Sequence, residues 1–151
     1  MSFGVDDDFL KRVNSPEEMI ALGSEVVAGL KAGSVIALVG GLGAGKTHFT
    51  KGVAAGLGSN AEVTSPTFSL AHEYQGGRLA LFHFDFYRMD SEEEVLGIGW
   101  DEYLDTADDE GIIVVEWPHK FPDLLPPHTL WLDFENDGDS RIIKKVLSSS
   151  L

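Results

Sequence analysis

The chain has 151 residues, a hydrophobic content of 43%, no cysteine and a formal net charge of −14. The absence of cysteine excludes disulfides, thiolate metal sites and a cysteine nucleophile. Phosphate-backbone binding relies on clustered Lys and Arg, so 25 acidic against 11 basic residues disfavour a stand-alone nucleic-acid binder. The excess acidic charge has two interpretations: it serves solubility alone, or it allows docking on a basic partner protein.

The first predicted helix follows Ser15. This serine is a typical N-cap, Pro16 suits the first helical position and Glu18 completes a capping box. Apolar residues then recur at helical spacing as far as Leu30, and Gly33 is the expected stop.

A strand, a glycine-rich loop and a second helix are predicted next. The apolar run over residues 34–39 is typical of a strand that is buried on both faces. The loop covers residues 40–45, and a helix is expected over residues 47–57.

The second half of the chain predicts further strands, with turn signals between them. The predicted elements are strands over 70–74 and 79–84 around Gly76-Gly77, an acidic helix over 91–96, a short helical turn over 101–104, a strand over 112–115, and a hairpin of 129–134 with 141–147. Alternating strands and helices indicate an α/β fold. We expect a three-layer fold like that of P-loop NTPases, with a parallel central sheet and added antiparallel strands.

Length and chain start set two further expectations. A chain of this size favours a single domain over residues 1–151. Its longest apolar stretch, residues 35–39, is too short to span a bilayer, and the acidic Asp6, Asp7 and Asp8 are unlike a signal peptide. The sequence therefore indicates a cytoplasmic protein that does not engage a membrane.

The strongest motif is G-x-x-x-x-G-K-[ST], matched by Gly40, Gly45, Lys46 and Thr47 between a strand and a helix. Glycines let backbone N–H groups surround a phosphate, and the helix N-terminus adds partial positive charge. Lys46 would neutralise the β- and γ-phosphates, and the Thr47 hydroxyl would ligate Mg²⁺. The predicted nucleotide-binding residues of this segment are Gly41, Leu42, Gly43, Ala44, Gly45, Lys46, Thr47 and His48.

Two acidic residues follow apolar strands and are candidates for the second metal ligand. Asp85 follows the strand 79–84, and Glu116 follows the strand 112–115. Both are expected at strand ends beside the loop, where ligands bind in open α/β sheets. One can hold Mg²⁺ and the other can orient the attacking water, and the sequence leaves the two roles open. The predicted catalytic residues are Lys46, Asp85 and Glu116.

Three other residues have two interpretations each. A hydroxyl near Thr67, in the Thr64-Ser65-Pro66-Thr67 segment, can reach the γ-phosphate or serve ordinary turn chemistry. Trp117 can stack near the nucleotide or belong to the core. His83, inside an apolar strand, is interpreted as a hydrogen-bonded core histidine rather than a ligand.

Taken in order, these motifs resemble one family. They are Gly40-Gly41-Leu42-Gly43-Ala44-Gly45-Lys46-Thr47, Thr64-Ser65-Pro66-Thr67, His83-Phe84-Asp85-Phe86-Tyr87-Arg88 and Glu116-Trp117. The set is similar to the TsaE (YjeE) family of small bacterial P-loop ATPases, over roughly residues 15–135. The resemblance implies an ATP-hydrolysing subunit that acts with a TsaB–TsaD-type complex to make N6-threonylcarbamoyladenosine at position 37 of tRNA. The short, acidic chain has no obvious arginine lid, so we expect slow hydrolysis alone and faster hydrolysis with that complex. Contact with tRNA would be indirect, through that complex.

The same resemblance assigns roles within the site. It implies that Thr47 and Glu116 ligate Mg²⁺, that Lys46 holds phosphates and that Asp85 supports the metal site. It also favours nucleotide contacts for Thr67 and Trp117.

Two positions depart from the family pattern. Gly41 stands where the family usually has an acid, and His48 where it usually has Thr or Ser.

The alternative function is a P-loop small-molecule kinase. Such kinases usually place arginines over the phosphates, and only Arg78 and Arg88 lie in the middle of this chain.

Overall fold

The computed structural model describes residues 5–41, 43–60 and 71–147. Within them, the chain forms seven strands and four α-helices. They are β1 Leu10–Val13, α1 Pro16–Ala28, β2 Val35–Val39, α2 Lys46–Gly56, β3 Ala71–Tyr74, β4 Ala80–Asp85, α3 Glu92–Gly97, α4 Trp100–Glu110, β5 Gly111–Glu116, β6 Leu130–Asp137 and β7 Ser140–Val146. Short 3-10 helices cover Phe86–Arg88, Pro118–Lys120 and Pro122–Leu124. Over these ranges no helix has the length and apolar character that a membrane crossing requires.

All seven strands belong to one sheet, in the order β1-β7-β6-β2-β5-β4-β3. The four central strands, β6, β2, β5 and β4, are parallel to one another. Antiparallel pairing adds β7 and then β1 at one edge and β3 at the other. This arrangement confirms the predicted parallel centre with added antiparallel strands.

Helices cover both faces of the central strands and produce two separate cores. One core joins α1 and α2 to the sheet face that carries Ile36, Leu38 and Val114. The other joins α3 and α4 to the opposite face, which carries Phe84 and Val115. Because β5 is covered on both faces, all six of its residues are buried, and the predicted three-layer architecture is confirmed.

Two predicted helices were wrong in extent, and one strand was missed. Helix α1 begins as expected, with the Glu18 N–H donating to the Ser15 hydroxyl at 3.1 Å, but it ends at Ala28 rather than near Gly33. Helix α4 has 11 residues rather than a single turn, because its buried stripe continues at Ala107, which is too small to mark a periodicity. Strand β1 was missed, since Val13 is its only buried residue.

Helices α1 and α2 pack against each other at two glycines. A Cβ at Gly52 would collide with the Ile20 carbonyl oxygen, and a Cβ at Gly23 would collide with the Phe49 carbonyl oxygen. These contacts are with backbone atoms, which cannot rotate away. Glycine is therefore required for the close approach that holds α2, the helix following the glycine-rich loop, against α1.

We predict that Gly52→Ala lowers the free energy of unfolding by at least about 2 kcal/mol, because the added methyl group forces α1 and α2 apart. Urea denaturation of the two proteins measures this difference. The matched control is Gly97→Ala in α3, where a Cβ would meet nothing within 4 Å, and which should be neutral or slightly stabilising. Equal stability of Gly52→Ala and the parent chain would contradict the close packing.

Candidate nucleotide-binding site

A cavity of about 400 Å³ opens where the parallel strands β2, β5 and β4 end. Its volume lies within the range of small-molecule sites. It is lined by Val13, Asn14, Ser15, Pro16, Met19, Gly43, Ala44, Gly45, Lys46, Thr47, His48, Asp85, Glu116, Trp117, Asp139 and Arg141. Nine of the predicted site residues meet there: Gly43, Ala44, Gly45, Lys46, Thr47, His48, Asp85, Glu116 and Trp117.

The other three predicted site residues are Gly41, Leu42 and Thr67. Gly41 is exposed and is not among the residues that line the cavity. Leu42 and Thr67, with the rest of the Thr64–Thr67 segment, lie outside the described residues, so their predicted roles stay predictions.

The loop between β2 and α2 depends on glycines in left-handed backbone conformations. The φ angles are +149° at Gly40 and +96° at Gly45. A Cβ would lie 2.6 Å from the Phe134 carbonyl oxygen at Gly40 and 2.6 Å from Met19 Cε at Gly45. Gly41, in contrast, has open space for a side chain, so glycine at this family departure is not required by packing.

Helix α2 points its N-terminus at the cavity without a side-chain cap. Its N-cap is Gly45, which has no side chain to accept a hydrogen bond from the first turn. The first N–H groups of a helix have no intrahelical acceptor, and together with the helix dipole they favour an anion. The helix start is therefore suited to phosphate oxygens, as the motif predicts.

Lys46 brings a cation to the floor of the cavity. Only 6% of the residue is exposed, and its Nζ donates to the Gly40 carbonyl oxygen at 2.7 Å. Burial lowers the pKa of the Lys46 ammonium, while the charges of Glu116 and Asp85 act in the opposite direction. An anion placed in the cavity would stabilise the charged ammonium, which burial has deprived of its hydration.

The two acidic residues are brought side by side by strand pairing. Asp85 ends β4, Glu116 ends β5, and the two are direct neighbours in the parallel register. The Tyr87 N–H donates to Asp85 Oδ1 at 2.9 Å, so this carboxylate also starts the 3-10 helix Phe86–Arg88. Burial raises the pKa of Asp85, and the nearby Glu116 raises it further.

Glu116 makes a buried contact that the motif did not predict. Its Oε2 accepts a hydrogen bond from His83 Nε2 at 2.7 Å. The interpretation of His83 as a hydrogen-bonded core histidine is thus confirmed, since its side chain is fully buried. What the sequence missed is the identity of its partner, because strand register decides it.

Trp117 turns the chain sharply at the end of β5. It is the one non-glycine residue with positive φ, at +58°, in the described part of the chain, a conformation that costs roughly 1–2 kcal/mol. Its ring lies 5.0 Å from Lys46 Nζ and 4.8 Å from the Tyr87 ring. The partly buried ring therefore forms a wall of the cavity and also packs against the α3–α4 core.

Arg141, far along the chain, also reaches this cavity. Its Nε donates to the Gly43 carbonyl oxygen at 3.2 Å, from the start of β7 in the β6–β7 hairpin. The neighbouring Ser140 hydroxyl bonds Asn14 Oδ1 at 2.5 Å, which joins this hairpin to the start of α1. No local motif marks Arg141, Ser140 or Asn14, so sequence reasoning missed this side of the cavity.

Arg78 and Arg88 are the two arginines in the middle of the chain, and the kinase alternative would need such arginines over the phosphates. Arg78 donates to the carbonyl oxygens of Val27 and Leu30 at 3.0 and 3.1 Å. It thereby closes the C-terminal end of α1. Neither Arg78 nor Arg88 lines the cavity.

A parallel sheet whose central strand leads through a glycine-rich G-x-x-x-x-G-K-T loop into a helix defines the class of P-loop proteins. Comparison with known proteins narrows this class. The family model described as "Threonylcarbamoyl adenosine biosynthesis protein TsaE" matches residues 13–143. The chain belongs to the TsaE family.

Individual relatives agree with this assignment. The TsaE protein of Bacillus subtilis is 44% identical over 128 residues, which cover 85% of this chain and 78% of the relative. The TsaE protein of Treponema pallidum is 40% identical over 130 residues, covering 85% and 93%. Among solved structures, the crystal structure of Bacillus subtilis YdiB aligns with a TM-score of 0.77 and 38% identity, covering 91% of this chain and 84% of that one.

We predict that Asp85→Asn raises the Tm of the nucleotide-free protein at pH 7. Burial raises the pKa of Asp85, so folding disfavours the ionised form, and asparagine removes this cost while still accepting the Tyr87 N–H bond. A rise of about 1–3 °C is expected for a chain of this size. Thermal unfolding in EDTA measures it.

The control for this variant is Asp8→Asn, at an exposed aspartate outside the helices and strands. It should leave the Tm unchanged. A Tm of Asp85→Asn below that of the parent chain would show that the carboxylate is stabilised where it lies.

Proposed function

We propose that this chain is the ATP-binding and ATP-hydrolysing subunit of the machinery that forms N6-threonylcarbamoyladenosine on tRNA. Its relatives are named tRNA threonylcarbamoyladenosine biosynthesis proteins. The observation that carries the ATP-dependent part is one cavity in which Lys46, Asp85 and Glu116 meet the uncapped start of α2.

The two sides of the cavity suit the two ends of a nucleoside triphosphate. The phosphates would lie against the loop 43–47, where backbone N–H groups and the Lys46 ammonium favour negative charge. The remaining wall, which includes Asn14, Ser15 and Arg141, is left for the nucleoside. This orientation makes use of both sides of the cavity.

The chain's oxygen donors fit Mg²⁺. The Thr47 hydroxyl and the Glu116 carboxylate both line the cavity, with Asp85 beside Glu116. Mg²⁺ in phosphate sites is typically held by one or two carboxylates together with substrate phosphates. When bound, the ion would offset the charge on the β- and γ-phosphates.

Asp85 and Glu116 have different roles at the metal site. In this proposal Thr47 and Glu116 hold the metal, and Asp85 supports it or orients the attacking water. The Tyr87 N–H bond fixes the Asp85 carboxylate in place, which suits a group that must orient a small molecule.

The net charge of −14 favours action through a protein partner rather than direct binding to tRNA. The partner that the family implies is a TsaB–TsaD-type complex in the cytoplasm. Arg141 lines the cavity, but its guanidinium already donates to the Gly43 and Ser140 carbonyl oxygens. In this proposal a group that the partner supplies in trans, rather than Arg141, stabilises the charge that develops in the transition state.

We predict that Lys46→Ala weakens ATP binding at least about tenfold, because a charge-assisted hydrogen bond to phosphate is lost. Isothermal titration calorimetry measures the Kd. The matched control is Lys51→Ala, which removes the same charge from the same helix at a residue that does not line the cavity. It should leave the Kd close to that of the parent. An unchanged Kd for Lys46→Ala would refute the phosphate site.

We expect slow ATP hydrolysis by the isolated chain and faster hydrolysis when a TsaB–TsaD-type pair is added. Phosphate release at matched salt, with and without the partners, measures the difference. Adding candidate small-molecule acceptors in place of the partners tests the kinase alternative. Full turnover by the isolated chain, unchanged by partners, would reject partner dependence, and phosphate transfer to an acceptor would favour a kinase.

A further inference from the structure

Behind the candidate metal site lies a buried histidine. The His83 side chain is fully buried, and the Glu116 side chain is 7% exposed. The distance of 2.7 Å from His83 Nε2 to Glu116 Oε2 is at the short end of the range for nitrogen–oxygen hydrogen bonds.

Strand register explains how the two side chains meet. His83 lies two residues before Asp85 on β4, so both project from the same face of the sheet. Glu116 is paired with Asp85, and Val114 with His83. Glu116 therefore faces the α1–α2 side of the sheet, and the imidazole lies one pleat deeper, between the carboxylate and the core.

The contact restrains a side chain that would otherwise be mobile. A glutamate has three rotatable bonds, and β5 anchors only its backbone. With Oε2 accepting the bond from His83, the carboxylate has one fixed orientation, and Oε1 keeps its capacity to accept another partner. Groups that support a metal ligand in this way tune its affinity for the metal.

Packing alone does not account for histidine at this position. Among the described residues, His83 Nδ1 has no hydrogen-bond partner although it is buried. An unpaired buried polar atom is unfavourable, and an apolar side chain of similar size would avoid this cost. The Nε2–H donor is thus the property that distinguishes histidine from leucine here.

We propose that His83 is a positioning residue that holds the Glu116 carboxylate ready for the divalent ion accompanying the nucleotide. This inference rests on the proposed function, because it takes Glu116 as a metal ligand. His83 itself touches neither nucleotide nor metal in this arrangement, and acts only through Glu116.

The test compares three substitutions at one position. His83→Gln keeps an N–H donor near the place of Nε2, His83→Asn offers a donor only near the place of Nδ1, and His83→Leu offers none. The probe is Mn²⁺, whose free form is followed by electron paramagnetic resonance in the presence of a non-hydrolysable ATP analogue. The affinity for the analogue alone is measured in EDTA.

We expect His83→Leu and His83→Asn to weaken Mn²⁺ binding about 10- to 100-fold, the usual effect of losing a group that supports a metal ligand. His83→Gln should stay close to the parent chain. The affinity for the analogue in EDTA should not change, because no phosphate contact is altered. His128→Leu is the control, since His128 contacts the Gly33 carbonyl oxygen and does not line the cavity.

Each outcome is decisive. Equal weakening by Gln, Asn and Leu would show a merely structural role and overturn the inference, as would parent-like Mn²⁺ binding by His83→Asn. Should His83→Leu fail to fold, the contrast between Gln and Asn carries the test. Two results on reference proteins would overturn the proposed function itself: no analogue binding by the parent chain, or undiminished Mn²⁺ binding by Glu116→Gln.

Discussion

Lys46 carries an ammonium group to a position where 6% of the residue is exposed, and the surroundings must compensate for that burial. The Gly40 carbonyl oxygen accepts one of its hydrogens, the charges of Glu116 and Asp85 stabilise its charged form, and the Trp117 ring lies close by. Each of these groups comes from a different strand end or turn. The buried cation therefore ties the loop, two strands and a strained turn into one unit.

The rigidity of this unit depends on helix α2 and on the parallel strands that carry these residues. Helix α2 starts at Lys46, and its glycine contacts with α1 set the distance between the two helices. The parallel pairing of β2 with β5 and of β5 with β4 sets the line of strand ends. Because both cores pack against these strands, displacement of one strand end would disturb the packing on both faces.

The site also retains features that oppose stability. Trp117 has a backbone conformation that is unfavourable for a large side chain, burial raises the pKa of the Asp85 carboxyl group, and His83 Nδ1 lacks a described partner. Such costs concentrate at functional sites, where the surrounding structure maintains them. Their location around one cavity is itself an argument that the cavity is the working part of the molecule.

The local chemistry of the site could be predicted from the sequence because it depends on near neighbours. A glycine-rich run followed by Lys46-Thr47, between an apolar strand and a helix, predicts an anion-binding turn wherever the chain folds. Asp85 and Glu116 were identified by the same logic, as polar residues that end apolar strands. Helix α1 was recognised at its start because capping by Ser15 is local.

Tertiary structure alone decided which distant groups share the site. Arg141 meets Gly43 across 98 positions, and His83 meets Glu116 across 33. Neither pair leaves a signature in a single sequence, because strand order and register select the partners, and both follow from packing two layers of helices on one sheet. The sequence by itself determined a glycine-rich loop of the P-loop pattern with two acids at strand ends. The fold decided that a buried histidine lies behind one of these acids and that the C-terminal hairpin completes the cavity wall.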